Sequence, residues 1–203
     1  MLCIALTVIT EFTKSVLHFD QLFYNSLAEN LTTKQIENIL TLQEKWKWVG
    51  YIFVPVYVLL KTLIIASILY VGVFFFSKKE ITFKALWNLA IKADFIFLLV
   101  PVFKVIWFYF FQTTHTLSDF QSFFPLSAIN IIGYKDLETW FLYPLQVFNL
   151  FELVYWLVLS YYVGKLAFTE KDKGKSMDLG FKIVASSYGS ALILWIVVVM
   201  FFL

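Results

Sequence analysis

Arginine is missing from this chain; all sixteen basic residues are lysine. Arginine's planar fork is the usual reader of phosphate and guanine, so nucleic acid is not expected as a partner. An AT-rich coding sequence accounts for lysine-only usage just as well. One cysteine, Cys3, and two histidines, His18 and His115, are too few for a disulfide framework within the chain or a zinc site. Neither histidine lies inside a long apolar run, which argues against axial haem ligation. No cofactor and no metal are expected. Charge is scarce as well: 15% of the 203 residues are charged, against about 25% in a soluble domain.

What is abundant is apolar. Hydrophobic residues make up 61% of the chain and aromatic residues 21%, with a mean hydropathy of +0.79. A helix that crosses a bilayer needs about 20 mostly apolar residues. Four stretches qualify, at 51–76, 94–111, 147–168 and 181–203; the second is the shortest, and 85–93 could lengthen it. Backbone polar groups in hydrocarbon must be satisfied within the segment, so these stretches are expected to be helices. Their continuous apolar character does not fit the short alternating segments of a barrel. Pro55 and Pro101 fall inside two of them, where membrane helices tolerate proline. The expected fold class is an all-α integral membrane protein: a four-transmembrane-helix bundle over 50–203, led by N-terminal amphipathic, interfacial helices over 1–49.

In that lead, Ile9, Phe12, Val16, Phe19 and Phe23 recur at helical spacing. A second segment opens on Thr32-Thr33-Lys34-Gln35, which has the form of a capping box. Ile36, Ile39, Leu40 and Gln43 follow at helical steps, ending at Trp46 and Trp48. Both read as amphipathic helices lying at the membrane surface, with a re-entrant first segment as the alternative. The first ten residues lack the basic start and small-residue cleavage site of a signal peptide and are expected to belong to the mature protein. The stretch 112–146 carries Ser118-Asp119-Phe120-Gln121, again of capping-box form, and is rich in aromatics; Pro125 and Pro144 divide it. Short interfacial helices are expected there.

Lysines 78, 79, 84 and 92 separate the first two spans, and lysines 171, 173, 175 and 182 the last two; 112–146 has only Lys135 against Asp119, Asp136 and Glu138. The positive-inside rule places the first and third loops in the cytoplasm. With four spans both chain ends would then lie outside; Lys45 and Lys47, beside the first span, object to this, and an extra crossing near the N-terminus would move that end inside.

Three charges fall well inside the spans: Lys61, Lys104 and Glu152. Charge at that depth costs several kcal/mol and by default marks function. At a rise of about 1.5 Å per residue, they lie roughly 4, 2 and 8 Å from the middles of their spans, all toward the side of 112–146. Glu152 shares a polar stripe with Asn149, Trp156, Ser160 and Gly164. A cluster of Lys61, Lys104, Glu152 and Asn149 is therefore expected. One carboxylate cannot neutralise two lysines, so the surplus would suit a lipid phosphate, an anionic substrate or a partner's carboxylate. A structural ion pair and snorkelling lysines are the alternatives. In the last span, Ala185 with Gly189 and Ser186 with Ser190 form small-residue pairs four apart, which let helices approach closely, within this chain or against another subunit.

No Gly-rich phosphate loop, HExxH or GxSxG is present, so no enzyme is expected. His115, within Thr113–Thr116, is expected to be solvated. Asn30-Leu31-Thr32 matches a glycosylation sequon that is common by chance. The segments ITFKALWNLAIKADFIFLL at 81–99 and VFNLFELVYWLVLSYYVGKLAF at 147–168, with the proline-containing stretch between them, resemble the bacterial form of the YIP1 family of small polytopic membrane proteins. The resemblance supplies no catalytic residues and implies a non-enzymatic protein acting through partners. The expected function is a non-catalytic subunit or scaffold of a membrane complex, in the bacterial inner membrane. Its partners would be the lipid bilayer and other membrane subunits or further copies of itself. The alternative is a permease-like transporter component with Lys61, Lys104 and Glu152 on the path; a lipid-acting enzyme has the least support.

Overall fold

The computed structural model describes residues 1–28, 31–133, 137–167 and 176–203. It is all-helical: 85% is helix, with no strand among the described residues. Asn30 of the sequon, Lys135 and Asp136, Phe168, and lysines 171, 173 and 175 lie outside the described residues.

Among the described residues, three helices are long and apolar enough to cross a membrane: α3 (Thr33–Phe76), α9 (Leu150–Ala167), and a continuous helix over Ser176–Phe202. The last consists of α10 (Ser176–Val184), a π-helical stretch (Ala185–Gly189) and α11 (Ser190–Phe202). The count becomes four if α1 (Leu2–Val16) and α2 (Phe19–Ala28) are taken as one bent span; they meet at 60°. The bend falls at Leu17–His18, where His18 takes a left-handed φ of 48°. This is the geometry of a broken span or a re-entrant element, and it keeps that alternative open for the N-terminal segment.

The expected span over 94–111 is not one helix. Helix α4 (Phe83–Asp94) ends where that span was to begin, a 3-10 stretch covers Phe95–Leu98, and α5 (Leu99–Phe110) follows. The cause is Pro101. A proline inside a helix clashes with the carbonyl four residues earlier, which is Phe97, but is tolerated in the first turn. Breaking the helix before Leu99 puts Pro101 in the first turn of α5. Neither twelve-residue piece is long enough to span alone.

The separate interfacial helix expected up to residue 49 also differs. It is the beginning of α3, which runs unbroken through Gly50 and past Pro55. One interior glycine costs a helix only about 1 kcal/mol, too little to end it. The Thr32–Gln35 start signal is real: the Gln35 side chain accepts from the Thr32 backbone N–H at 3.0 Å and from its hydroxyl at 2.9 Å. In the 112–146 stretch the capping box sits two residues before the expected place. Thr116, not Ser118, caps α6 (Leu117–Ser122): its hydroxyl accepts from Asp119 N–H at 3.1 Å, and Asp119 accepts from Thr116 N–H at 2.9 Å. Aspartate here does the work usually given to glutamate. Two further short helices follow, α7 (Ile129–Ile132), ended by Gly133 at φ 88°, and α8 (Thr139–Val147).

The described chain divides into two compact units, 1–59 with 98–125, and 60–97 with 126–203. In the first, α1 packs on α5 and α2 on α6. Phe19 meets Phe120 edge-on at 5.6 Å, and Lys47 reaches Glu11 at 3.9 Å. In the second, α9 packs on α10 and on α4. The core is built from helical repeats: Ile65, Leu69 and Val73 from α3, and Tyr155, Leu159, Val163 and Ala167 from α9, each four residues apart.

Two glycines set the closest approach in that core. A Cβ on Gly180 would run into the carbonyl oxygen of Ser160, and one on Gly164 into that of Ser176. There α9 and α10 touch backbone to backbone. In lipid, apolar side chains gain little by leaving the tails, so such tight van der Waals contact is what holds helices together.

Candidate functional site in the second unit

Lys61 lies one turn before Ile65 on α3, and Asp94 closes α4 one residue after the buried Ala93. The two core stripes therefore carry a lysine and an aspartate into register, and Lys61 Nζ forms an ion pair with Asp94 Oδ1. The Asp94 side chain is only 7% exposed, that of Lys61 28%. Nζ also sits 4.3 Å from the centre of the Phe97 ring. Next to the pair, Trp87 Nε1 donates to Thr62 Oγ1 at 3.1 Å, a second polar tie between α3 and α4.

Glu152 is the third residue of α9. The chain enters this helix through a short antiparallel bridge: Ala128 N–H donates to Phe148 O at 2.9 Å and Leu150 N–H to Leu126 O at 3.1 Å. Asn149 then caps the helix. Its Oδ1 accepts from Glu152 N–H at 2.8 Å, while its Nδ2 donates to the carbonyls of Gln146 (2.8 Å) and Val147 (3.0 Å). Buried Asn149 is thus a positioning residue for Glu152. Asn149→Ala is expected to lower stability by about 1 kcal/mol, with Asn149→Ser recovering most of it, read by thermal unfolding in detergent. Equal stability of the alanine variant and the parent would show that the cap is not needed.

The half-buried Glu152 carboxylate receives two donors on one oxygen, Tyr188 Oη at 2.8 Å and Trp156 Nε1 at 3.0 Å. Tyr188 comes from the π-helical stretch, where the Ser186 and Ser187 hydroxyls both donate back to the Ile183 carbonyl. The Tyr188 ring meets Tyr155 edge-on at 5.5 Å, and Tyr155 packs on Phe97 at 4.9 Å. These ring contacts link Glu152 to the Lys61–Asp94 pair, since the Phe97 ring lies beside Lys61 Nζ. The Tyr155 hydroxyl is buried and has no partner among the described residues.

Of the cluster expected from sequence, the second unit holds Lys61, Glu152 and Asn149, with Asp94 added as the partner of Lys61. Lys104 belongs to the other unit, where its Nζ donates to the Phe120 carbonyl at 2.7 Å and lies 4.5 Å from that residue's ring centre. Lys61, Lys104 and Glu152 do not form one group within either unit. Asp94 takes its place beside Lys61, so two carboxylates face one lysine.

The small residues of the last span also separate. Gly189 is buried; a Cβ there would stand 2.5 Å from the Trp156 ring. Ala185 is half-buried, and Ser186 and Ser190 are exposed. Ser187 provides the other close contact, 2.6 Å from where a Cβ on Gly72 would be. His115 is half-buried rather than solvated: its ring packs on Phe108 at 4.6 Å, and Nδ1 lies 3.2 Å from the Gln112 carbonyl.

Asp94, Tyr155 and Tyr188 were missed as site residues. Asp94 stood at the edge of an assumed span and so escaped the search for internal charge. The tyrosines lie in aromatic-rich apolar runs, where no local pattern sets them apart. A signal for Tyr155 existed, since it lies three residues after Glu152 and so shares its helix face. Comparison with protein-family models, with curated proteins and with solved structures finds no match to the chain.

Proposed function

We propose that the chain is a multi-pass integral membrane protein that works without catalysis, as a subunit or scaffold of a membrane complex. One observation carries this reading. Only 28% of the most apolar stretch of α3, 39% of that of α9 and 28% of that of Ser176–Phe202 is buried by the chain itself. Soluble proteins do not leave apolar faces of that extent open. Lipid and partner helices cover them here. The lack of an enzyme motif and the resemblance to the YIP1 family agree with a non-enzymatic role, in the bacterial inner membrane. The chain crosses three times, or four with the bent α1–α2 pair.

The test is cross-linking in native membranes from photoreactive residues placed at exposed Ile193 and Leu194 of α11. A second protein, or a second copy of this chain, is expected at a constant ratio to the chain. Lipid adducts alone at both positions would sink the subunit reading. A permease-like component is the second reading, favoured by the Lys61–Asp94–Glu152 group. Under it, a water-soluble thiol reagent should reach a cysteine placed at position 61.

A further inference from the structure

Lys61 and Lys104 both stand on inward-facing helix stripes, and they are answered differently. Lys61 has Asp94 as its ion-pair partner. Lys104 lies between buried Val100 and buried Phe108, at steps of four along α5, and so belongs to the inward stripe of that helix. Its Nζ donates to the Phe120 carbonyl at 2.7 Å and lies over the Phe120 ring. An ammonium group has three hydrogens to donate. The other two meet no acceptor, and no carboxylate pairs with Lys104, among the described residues. Asp119, beside Phe120 in the sequence, has its Oδ2 engaged by the Thr116 backbone N–H at 2.9 Å and hydroxyl at 2.8 Å.

A carbonyl offers only a partial charge, so the full charge of Lys104 still calls for an anion. Snorkelling does not supply one, because the ammonium group is held inward by the Phe120 carbonyl and ring. The side chain is only half-buried, which leaves it open to an anion from outside the chain. The neighbouring residues say which anion is at hand. Trp107 and Tyr109, further along α5, are both exposed, and such residues gather at the headgroup level of a bilayer. At a rise of about 1.5 Å per residue they stand within about 8 Å of Lys104 along the helix axis. Lipid phosphates lie at that level, and lysine binds phosphate as a point charge. Beside Lys104, the exposed stripe Val102, Ile106 and Phe110 offers an apolar surface that suits acyl chains.

We propose that Lys104 anchors a binding site for an anionic phospholipid. Its free ammonium hydrogens donate to the phosphodiester oxygens, and the acyl chains lie along Val102, Ile106 and Phe110. The Phe120 carbonyl and ring fix the ammonium group before the lipid arrives, so little side-chain freedom is lost on binding. This goes beyond the subunit reading and holds whether the chain is a scaffold or a permease component.

The test is thermal unfolding of the full chain in neutral detergent with added phosphatidylglycerol, phosphatidylcholine or inorganic phosphate. Phosphatidylglycerol should raise the unfolding temperature progressively with its concentration, as a ligand of the folded state does. Phosphatidylcholine, whose phosphate is already balanced by choline, should raise it much less. Lys104→Met should lose the difference between the two lipids, and Lys104→Gln serves if that variant does not fold. Lys92→Gln, which removes an exposed lysine of α4, should keep the difference. The proposal is overturned if the parent responds equally to both lipids or if the Lys104 variants keep the difference. It is overturned as well if Lys92→Gln loses the difference, because the response would then be to net charge. Inorganic phosphate that reproduces the rise would also overturn it, making the ligand a free anion.

Discussion

Gly180→Ala is expected to destabilise the protein by about 3 kcal/mol or more, the upper end of what overpacking costs. Two effects compete. Alanine is a better helix former than glycine by about 1 kcal/mol, which favours the variant. Against it, the new methyl group would occupy the position of the Ser160 carbonyl oxygen, with the Gly164 backbone N 2.8 Å away. Those are backbone atoms in the middle of α9, and no rotamer change can move them aside. The clash wins, and α9 and α10 must separate. Gly164→Ala meets the carbonyl of Ser176 in the same way and should behave alike. Gly50 supplies the control, because nothing lies within 4 Å of a Cβ built there. Gly50→Ala should be neutral or stabilising by up to about 1 kcal/mol. Thermal unfolding in detergent, read by the loss of helical circular dichroism, separates these cases. If Gly180→Ala unfolds no earlier than the parent, the backbone contact between α9 and α10 does not hold.

The second large effect belongs to Lys61 and Asp94. Removing one member of a buried pair leaves the other charge without its partner, which costs about 3–5 kcal/mol. Lys61→Met should fall toward the upper end, because the Asp94 side chain it strands is only 7% exposed. Asp94→Asn should cost less, since the Lys61 stem is long enough to carry its ammonium group toward water or headgroups. The double variant, Lys61→Met with Asp94→Asn, should lie within about 1 kcal/mol of the parent, because well-packed neutral replacements for a buried ion pair are often harmless. A double-mutant cycle by unfolding thus expects strong coupling. Additive single effects would show that the two charges, though adjacent, do not depend on one another.

Much of this architecture was legible in the sequence because helical periodicity and apolar run length are strong signals. The long helix through Tyr51–Phe76, the helix from Leu150 and the C-terminal helix all appear at those places. The start signal at Thr32–Gln35 was legible because a capping box is local chemistry. What the sequence hid was where helices stop. Pro101 marks a break, but the sequence does not say on which side of the proline the helix ends. Residues 32–48 look amphipathic and so read as a separate surface helix, yet nothing after them is strong enough to end α3. The candidate site was half legible. Glu152 and Lys61 stood out as charges in apolar runs, and Asn149 as their polar neighbour. Which charge meets which depends on helix pairing, and that is a tertiary property. A shift of one boundary made Asp94, the edge of an expected span, the partner of Lys61.

The π-helical stretch at Ala185–Gly189 has a consequence for how this chain can vary. An α-helix advances about 100° per residue, so its two ends normally share one angular phase. A π turn holds one residue more than an α turn, so the extra residue bulges within that turn while the α-helical segments on either side keep a common phase. Deleting one residue from Ala185–Gly189 would close the stretch to an α turn and leave the residues from Ser190 onward facing as before. The same deletion within α10 or α11 would turn everything after it by about 100°. The stretch is thus a place where the last helix can lose a residue without turning the faces that follow.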